Sequence, residues 1–166
     1  MLKSGDILVY SIEENGQEYE FLATIRKFGE TISYDYTIPQ KNEKGTIATP
    51  GNSVKSGFHY QNVFNSSAQK SKDKNTLWLS KDNFRGLATK DKQTKMDMGN
   101  GTETFIRAAT STQTINYKGK ERIITIHKIT SQESASLKEL WVMNDISNPL
   151  ITNLNGTATV TLKEVR

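Results

Sequence analysis

The run Ile32-Ser33-Tyr34-Asp35-Tyr36-Thr37-Ile38 places an apolar or aromatic side chain at every second residue and a polar one between. That period belongs to a β-strand with one buried and one wet face, the kind antiparallel sheets carry. Pro39 ends it, because proline has no amide proton for a ladder. Upstream, Tyr19, Phe21, Ala23 and Ile25 repeat the period, and Gly29-Glu30 turns the chain between the two runs. Asn15-Gly16 separates this strand from an earlier one over Ile7, Val9 and Ser11. Asn-Gly is a hairpin signal, since a type I′ turn needs positive φ at both central positions. Residues 7–38 are therefore expected to form a three-stranded antiparallel meander.

Beyond Pro39 the pattern loosens. A short strand is expected at Gly45–Thr49, a helix at Ser53–Phe64 and a strand at Thr76–Leu79. Ser80 reads as a helix N-cap. Its hydroxyl can accept a first-turn amide, and Asp82 suits the positive end of the helix dipole. Phe84 and Leu87 would then face the core. Further strands are expected at Lys92–Met98, Glu103–Ala109, Gln113–Tyr117, Glu121–Ile129, Leu137–Met143, Pro149–Leu154 and Thr157–Val165. The fold expected is mainly β: an antiparallel sandwich, roll or incomplete barrel of nine to eleven strands with one or two short helices. No domain boundary is visible, so residues 1–166 read as one domain.

Composition excludes several chemistries. The chain has no cysteine, hence no disulfide, thiol nucleophile or cysteine-bound metal. It has two histidines, His59 and His127, so a histidine metal cluster is not expected. No apolar run approaches the ~20 residues of a membrane-spanning helix. Residues 1–40 hold three cations against seven carboxylates, while residues 70–95 hold eight against three. The basic stretch contains one arginine, which does not fit nucleic-acid readout by bidentate contacts. It reads as a solvated connection.

The candidate chemistry is sparse. His127 shares a strand face with Ile123, Thr125 and Ile129; it is a proton shuttle by chemistry or, more plainly, a half-exposed strand histidine. Glu18 and Glu20 fall on one side of their strand, and a carboxylate pair is what a glycosidase uses, though alternating glutamates also make a wet face. Ser71–Lys74 matches an acylating Ser-x-x-Lys by letter only, within a polar loop. Asn65, Asn100 and Asn155 head glycosylation sequons by letter, two of them at expected turns. Trp78 in Leu-Trp-Leu and Trp141 in Leu-Trp-Val each point opposite to their aliphatic neighbours if they lie in strands. With the aliphatics in the core, the indoles would face outward or into a cleft; a two-sided core would bury them instead. With Tyr34 and Tyr36, they are the candidate ligand-binding residues.

The segments Thr76-Leu77-Trp78-Leu79-Ser80, Phe84-Arg85-Gly86-Leu87, Leu140-Trp141-Val142-Met143-Asn144-Asp145, Asn148-Pro149-Leu150-Ile151 and Thr159-Val160-Thr161-Leu162 carry a resemblance. So does the opening Gly5-Asp6 with Tyr10. The chain resembles uncharacterised exported β-rich domains of Gram-negative bacteria, which end in a tryptophan strand, an acidic turn, Pro-Leu and an alternating last strand. The resemblance implies an antiparallel β architecture, a leader peptide upstream and an envelope location. It brings no active site with it.

No apolar leader precedes the first strand in Met1-Leu2-Lys3-Ser4-Gly5-Asp6, which suits either a cytosolic chain or a mature domain whose leader has been removed. The resemblance favours the second, in the periplasm or at the cell surface. The function expected is a non-catalytic envelope binding or structural domain without cofactor or metal. Its partner would be a lipid, a glycan or another envelope protein; it is peripheral to the membrane at most and does not bind nucleic acid. The alternative is an envelope glycan hydrolase working through the Glu18/Glu20 pair.

Overall fold

The computed structural model describes residues 2–64, 74–89, 92–133 and 137–166. The expected meander is present as β1 (Ile7–Glu14), β2 (Gln17–Lys27) and β3 (Ile32–Ile38), extended by β4 (Glu43–Thr49). Asn15 and Gly16 have φ of 53° and 75°, which is the type I′ geometry that their side chains permit. The later strands are β5 (Gln93–Asp97), β6 (Thr102–Tyr117), β7 (Lys120–Ser131), β8 (Glu139–Met143), β9 (Ile151–Asn155) and β10 (Thr159–Val165). All ten join one sheet in the order β4-β3-β2-β1-β10-β9-β8-β7-β6-β5, and neighbours in this order run antiparallel. The last strand thus inserts beside the first. A short parallel link, Glu164 to Asn116 and Val165 to Tyr117, draws β6 back to β10 and bends the sheet into a partial ring.

Phe21 lies at the centre of the meander core. It stacks on Tyr36 at 5.5 Å and 7° between planes, and Phe64 meets it edge-on at 5.1 Å. Two short helices cover the inner face. In α2 (Lys81–Ala88), Ser80 caps as expected: its Oγ accepts the Asn83 amide at 3.2 Å. Phe84 and Leu87 are buried. A Cβ at Gly86 would lie 2.8 Å from the Gln93 carbonyl oxygen, so only glycine lets α2 sit this close to β5.

Three expectations are corrected. The helix expected at Ser53–Phe64 is α1 (Gly51–Ser56), a turn and a half long. Gly57 leaves helical geometry with ψ of 137°, and Asn75 Nδ2 donates to the carbonyls of Ser53 and Gly57; the Gly57 carbonyl is one that further helix would have used itself. Thr76–Leu79 is not a strand: Trp78 forms an isolated bridge to Leu150, and Leu77, Trp78 and Leu79 are all buried. Glu103–Ala109 and Gln113–Tyr117 are one strand, β6, irregular in register between Arg107 and Ala109. The expectations for Asn65, Ser71 and the rest of residues 65–73 lie outside the described residues.

The β6–β7 hairpin is long because it serves two parts of the ring. Near its base, Phe105, His127 and Ile129 are buried. Near its tip, Ile115 is buried and Ile124 packs against the core. Thr110 pairs with His127 and Gln113 with Ile124, an odd spacing on each strand, so base and tip bury opposite faces. In the middle the two strands differ: Ala108–Thr112 of β6 are exposed, whereas Ile126 and His127, which pair with Ser111 and Thr110, are buried.

Candidate functional site

The four aromatics expected to share one ligand-facing surface are distributed differently. Tyr34 is fully buried; its hydroxyl donates to Thr76 Oγ1 at 2.8 Å, and burial pushes the phenol well above its ordinary range. Tyr36 is buried on Phe21, and its hydroxyl donates to Glu43 Oε1 at 3.2 Å. Trp78 is 4% exposed, 6.0 Å from the Tyr34 ring, and its indole N–H donates to Asn148 Oδ1 at 2.9 Å. Trp141 lies apart on β8, half-buried; its indole N–H donates to Glu139 Oε2 at 3.3 Å and the Lys128 ammonium lies 5.6 Å from its ring. The two Leu-Trp contexts look alike by letter, but Trp78 is not in a regular strand, so its neighbours do not force it outward.

Tyr34 and Trp78 nevertheless lead to the surface through a third ring. Phe28 packs 5.8 Å from Trp78 and is only partly buried. Together with Leu2 it floors an open hollow of ≈ 550 Å³, rimmed by Lys3, Lys27 and Lys81. Among the described residues none of these three ammonium groups has an ion-pair partner, whereas neighbouring Arg26 is held by Asp35 at 2.5 Å. Leu2 also lines a second, smaller and partly open space of ≈ 110 Å³, walled by Ile115, Ile124, Met143, Leu150, Leu162 and Val165 and, on its polar side, by Arg122, Asp145 and Asn148. Leu2 thus lines both the basic, open hollow and a smaller cavity of mixed apolar and polar lining.

Part of this arrangement could have been read from sequence. The Asn15-Gly16 hairpin, continued in register past Ile7 opposite Thr24, brings Lys3 to the level of Phe28. The Gly5 amide donating to the Ile25 carbonyl and Ser4 Oγ to the Arg26 carbonyl hold the two segments together there. Lys81 carries no such signal, because α2 reaches the hollow only through tertiary packing.

The polar candidates occupy other places. His127 is buried, not half-exposed: Phe84 of α2 covers it at 5.9 Å, and its Nδ1 lies 2.9 Å from Thr110 Oγ1. Burial holds its pKa below the usual 6.5, helped by nearby Arg107 and opposed by a hydrogen bond with Asn144. His59 is exposed, with Nδ1 3.1 Å from Asp97 Oδ2. The Asp97 carboxyl lies below its ordinary range, first because the Gly99 amide donates to it and then because of His59 and the Gly101 amide. Glu18 and Glu20 are exposed on β2; Glu13 lies directly opposite Glu18 in register, and Ser11 Oγ donates to Glu18 Oε1 at 2.7 Å. Among the described residues no group of three acidic or histidine side chains is arranged to hold a metal ion, and no helix is long and apolar enough to cross a membrane.

Comparison with known protein families, with curated proteins and with solved structures finds no match.

Proposed function

We propose that this chain is a non-catalytic binding domain of the cell envelope, and that its ligand is an anionic amphiphile such as the headgroup end of a lipid. The observation that carries the reading is the hollow: an apolar floor of Leu2 and Phe28 beneath three unpaired ammonium groups, with a volume inside the ~300–1,000 Å³ usual for ligand pockets. Ammonium groups attract the charged end, and the floor takes the first carbons of the chain. No cofactor is needed. The periplasm or the cell surface is where such envelope ligands are met, and the resemblance of the tryptophan-strand and Pro-Leu ending to exported β-rich domains supports that address.

The test is binding of a monomeric fluorescent fatty acid, cis-parinaric acid, to the full chain. The triple reversal Lys3→Glu, Lys27→Glu, Lys81→Glu should weaken binding by about tenfold or more, from small contributions at each exposed site. Leu2→Ala, which removes part of the apolar floor, should also weaken it. Equal binding by wild type and the triple variant, or by the uncharged alcohol analogue, would sink the ligand class. Fractionation of cells expressing the full natural gene tests the address; recovery with cytosolic markers alone would sink that.

A further inference from the structure

The edge of β6 is interrupted. β7 lies along one side of the strand from Phe105 to Tyr117, so β5 and β10 must share the other. On that side β5 pairs with Thr102–Ile106 and β10 with Asn116–Tyr117. Between them, Ala108–Ile115 has no strand partner among the described residues. Among the described residues, one side chain reaches across this gap: Gln113 Nε2 donates to the Leu162 carbonyl at 3.3 Å. The gap spans about 27 Å at ~3.4 Å per residue. Exposed sheet edges elsewhere are blunted by charge or proline, and the two outer edges here carry Glu43, Lys44, Lys95 and Asp97. Ala108-Ala109-Thr110-Ser111-Thr112-Gln113-Thr114-Ile115 has neither charge nor proline.

We infer that this gap receives a short, uncharged extended peptide ending in a free carboxylate, added to β6 as an antiparallel strand. Three observations select that occupant. The gap is closed at both ends, so a second copy of β6, flanked by its own β5 and β10, would collide with the strands already there. A chain that stops at the β5 end avoids the collision, and antiparallel polarity puts its C-terminus at that end. The cations Arg107 and Lys92 stand there, joined by the Arg107 amide donating to the Lys92 carbonyl at 2.7 Å; among the described residues neither side chain has an ion-pair partner. Main-chain hydrogen bonds would supply the affinity, and the carboxylate would set direction and register. The small side chains Ala109, Ser111 and Thr112 leave room for the peptide's own.

The experiment is fluorescence polarisation with a dye-labelled Ser-Thr-Val-Thr-Val peptide, offered as the free acid, as the C-terminal amide, and as the acid with alternate backbone amides N-methylated. The acid should bind about tenfold or more tighter than the amide, the effect of a charge-assisted hydrogen bond. Arg107→Gln with Lys92→Gln should abolish that preference while leaving the melting temperature and far-UV circular dichroism unchanged. The N-methylated peptide should fail to bind, and hydrogen exchange should show new protection at Ala108–Thr114 with the acid. Equal binding of acid and amide, unimpaired binding of the N-methylated form, or protection at β4 instead would each overturn the inference.

Discussion

His127 links acid sensitivity to a single buried ring. Burial under Phe84 holds its pKa below 6.5 in the folded chain, while the unfolded chain takes up a proton near that value. A depressed histidine favours the fold when neutral, so its contribution is whole above about pH 6.5 and lost as pH falls further. The denaturant midpoint of the wild type should therefore drop between about pH 7 and pH 5.5, and His127→Gln should flatten that slope even though losing the Phe84 contact lowers stability at every pH. A parallel slope in the variant would place the acid sensitivity elsewhere. Gly45 on β4 is a second single-residue constraint. A Cβ there would lie 2.7 Å from Tyr36 Cε1, against a ring already stacked on Phe21. Gly45→Ala should cost about 1–3 kcal/mol, the range of core overpacking. Gly45→Ala in a Tyr36→Leu background should cost clearly less by the same urea titration.

Among the elements, the β6–β7 hairpin depends most on contacts at its far end. Lys118 and Gly119 turn it with φ of 52° and 78°, a type I′ turn like that at Asn15-Gly16. The turn is then pinned: Lys118 Nζ reaches buried Asp6 at 2.6 Å, and the Lys118 amide donates to the Val165 carbonyl. The hydrogen bond to Asp6 raises the Lys118 pKa, so this contribution is present below the usual lysine value of 10.5 and fades as pH rises through the folded value. Lys118→Met leaves the Asp6 carboxylate buried with only the Lys3 amide donating to it. Hydrogen exchange at Asn116–Arg122 should then accelerate well before exchange in β1–β3, with partial recovery in Lys118→Met combined with Asp6→Asn. Uniform acceleration across the sheet would show that the pin stabilises the whole fold rather than the hairpin tip. The open β6 edge depends on the same pin, because the pin holds β10 against one end of the gap.

For the whole molecule, β10 is the joint. It lies between β1 and β9 and, among the described residues, is the connection in the sheet between the N-terminal meander and strands β5–β9. Its pairing with β1 joins the two ends of the chain, Leu8 with Val165 and Glu13 with Thr159, so the sheet completes only after most of the sequence is available. Removing residues 159–166 should leave a chain without cooperative urea unfolding and without wild-type near-UV circular dichroism, whereas the intact chain should unfold in one transition by both near- and far-UV signals. A truncated chain with the wild-type near-UV spectrum would show that the two halves fold independently. The hollow and the smaller cavity belong to this scale as well: Leu2 precedes β1, Phe28 follows β2, Lys81 opens α2, and Leu162 and Val165 come from β10.

The sequence alone determined the local structure. Period-two alternation specified the strands from Ile7 to Ile38, Asn15-Gly16 specified its turn, and Ser80 specified the start of α2, because side-chain alternation, positive φ and amide capping act within a few residues. The near-continuous β6 was legible only as two pieces, since the irregularity at Ala108 breaks the period where the hairpin changes its buried face. Tertiary structure decided which strands meet beyond the hairpins. It buried His127, which local pattern alone would leave half-exposed, and it decided for Trp78 between an outward and a buried indole, because a covering helix or a distant asparagine leaves no mark on the residues it covers. It also gathered Lys3, Lys27 and Lys81 around one hollow and, among the described residues, left one edge of β6 without a neighbour between β5 and β10. Both features arise from strand order, and strand order is settled by burying the whole core at once rather than by any stretch of sequence.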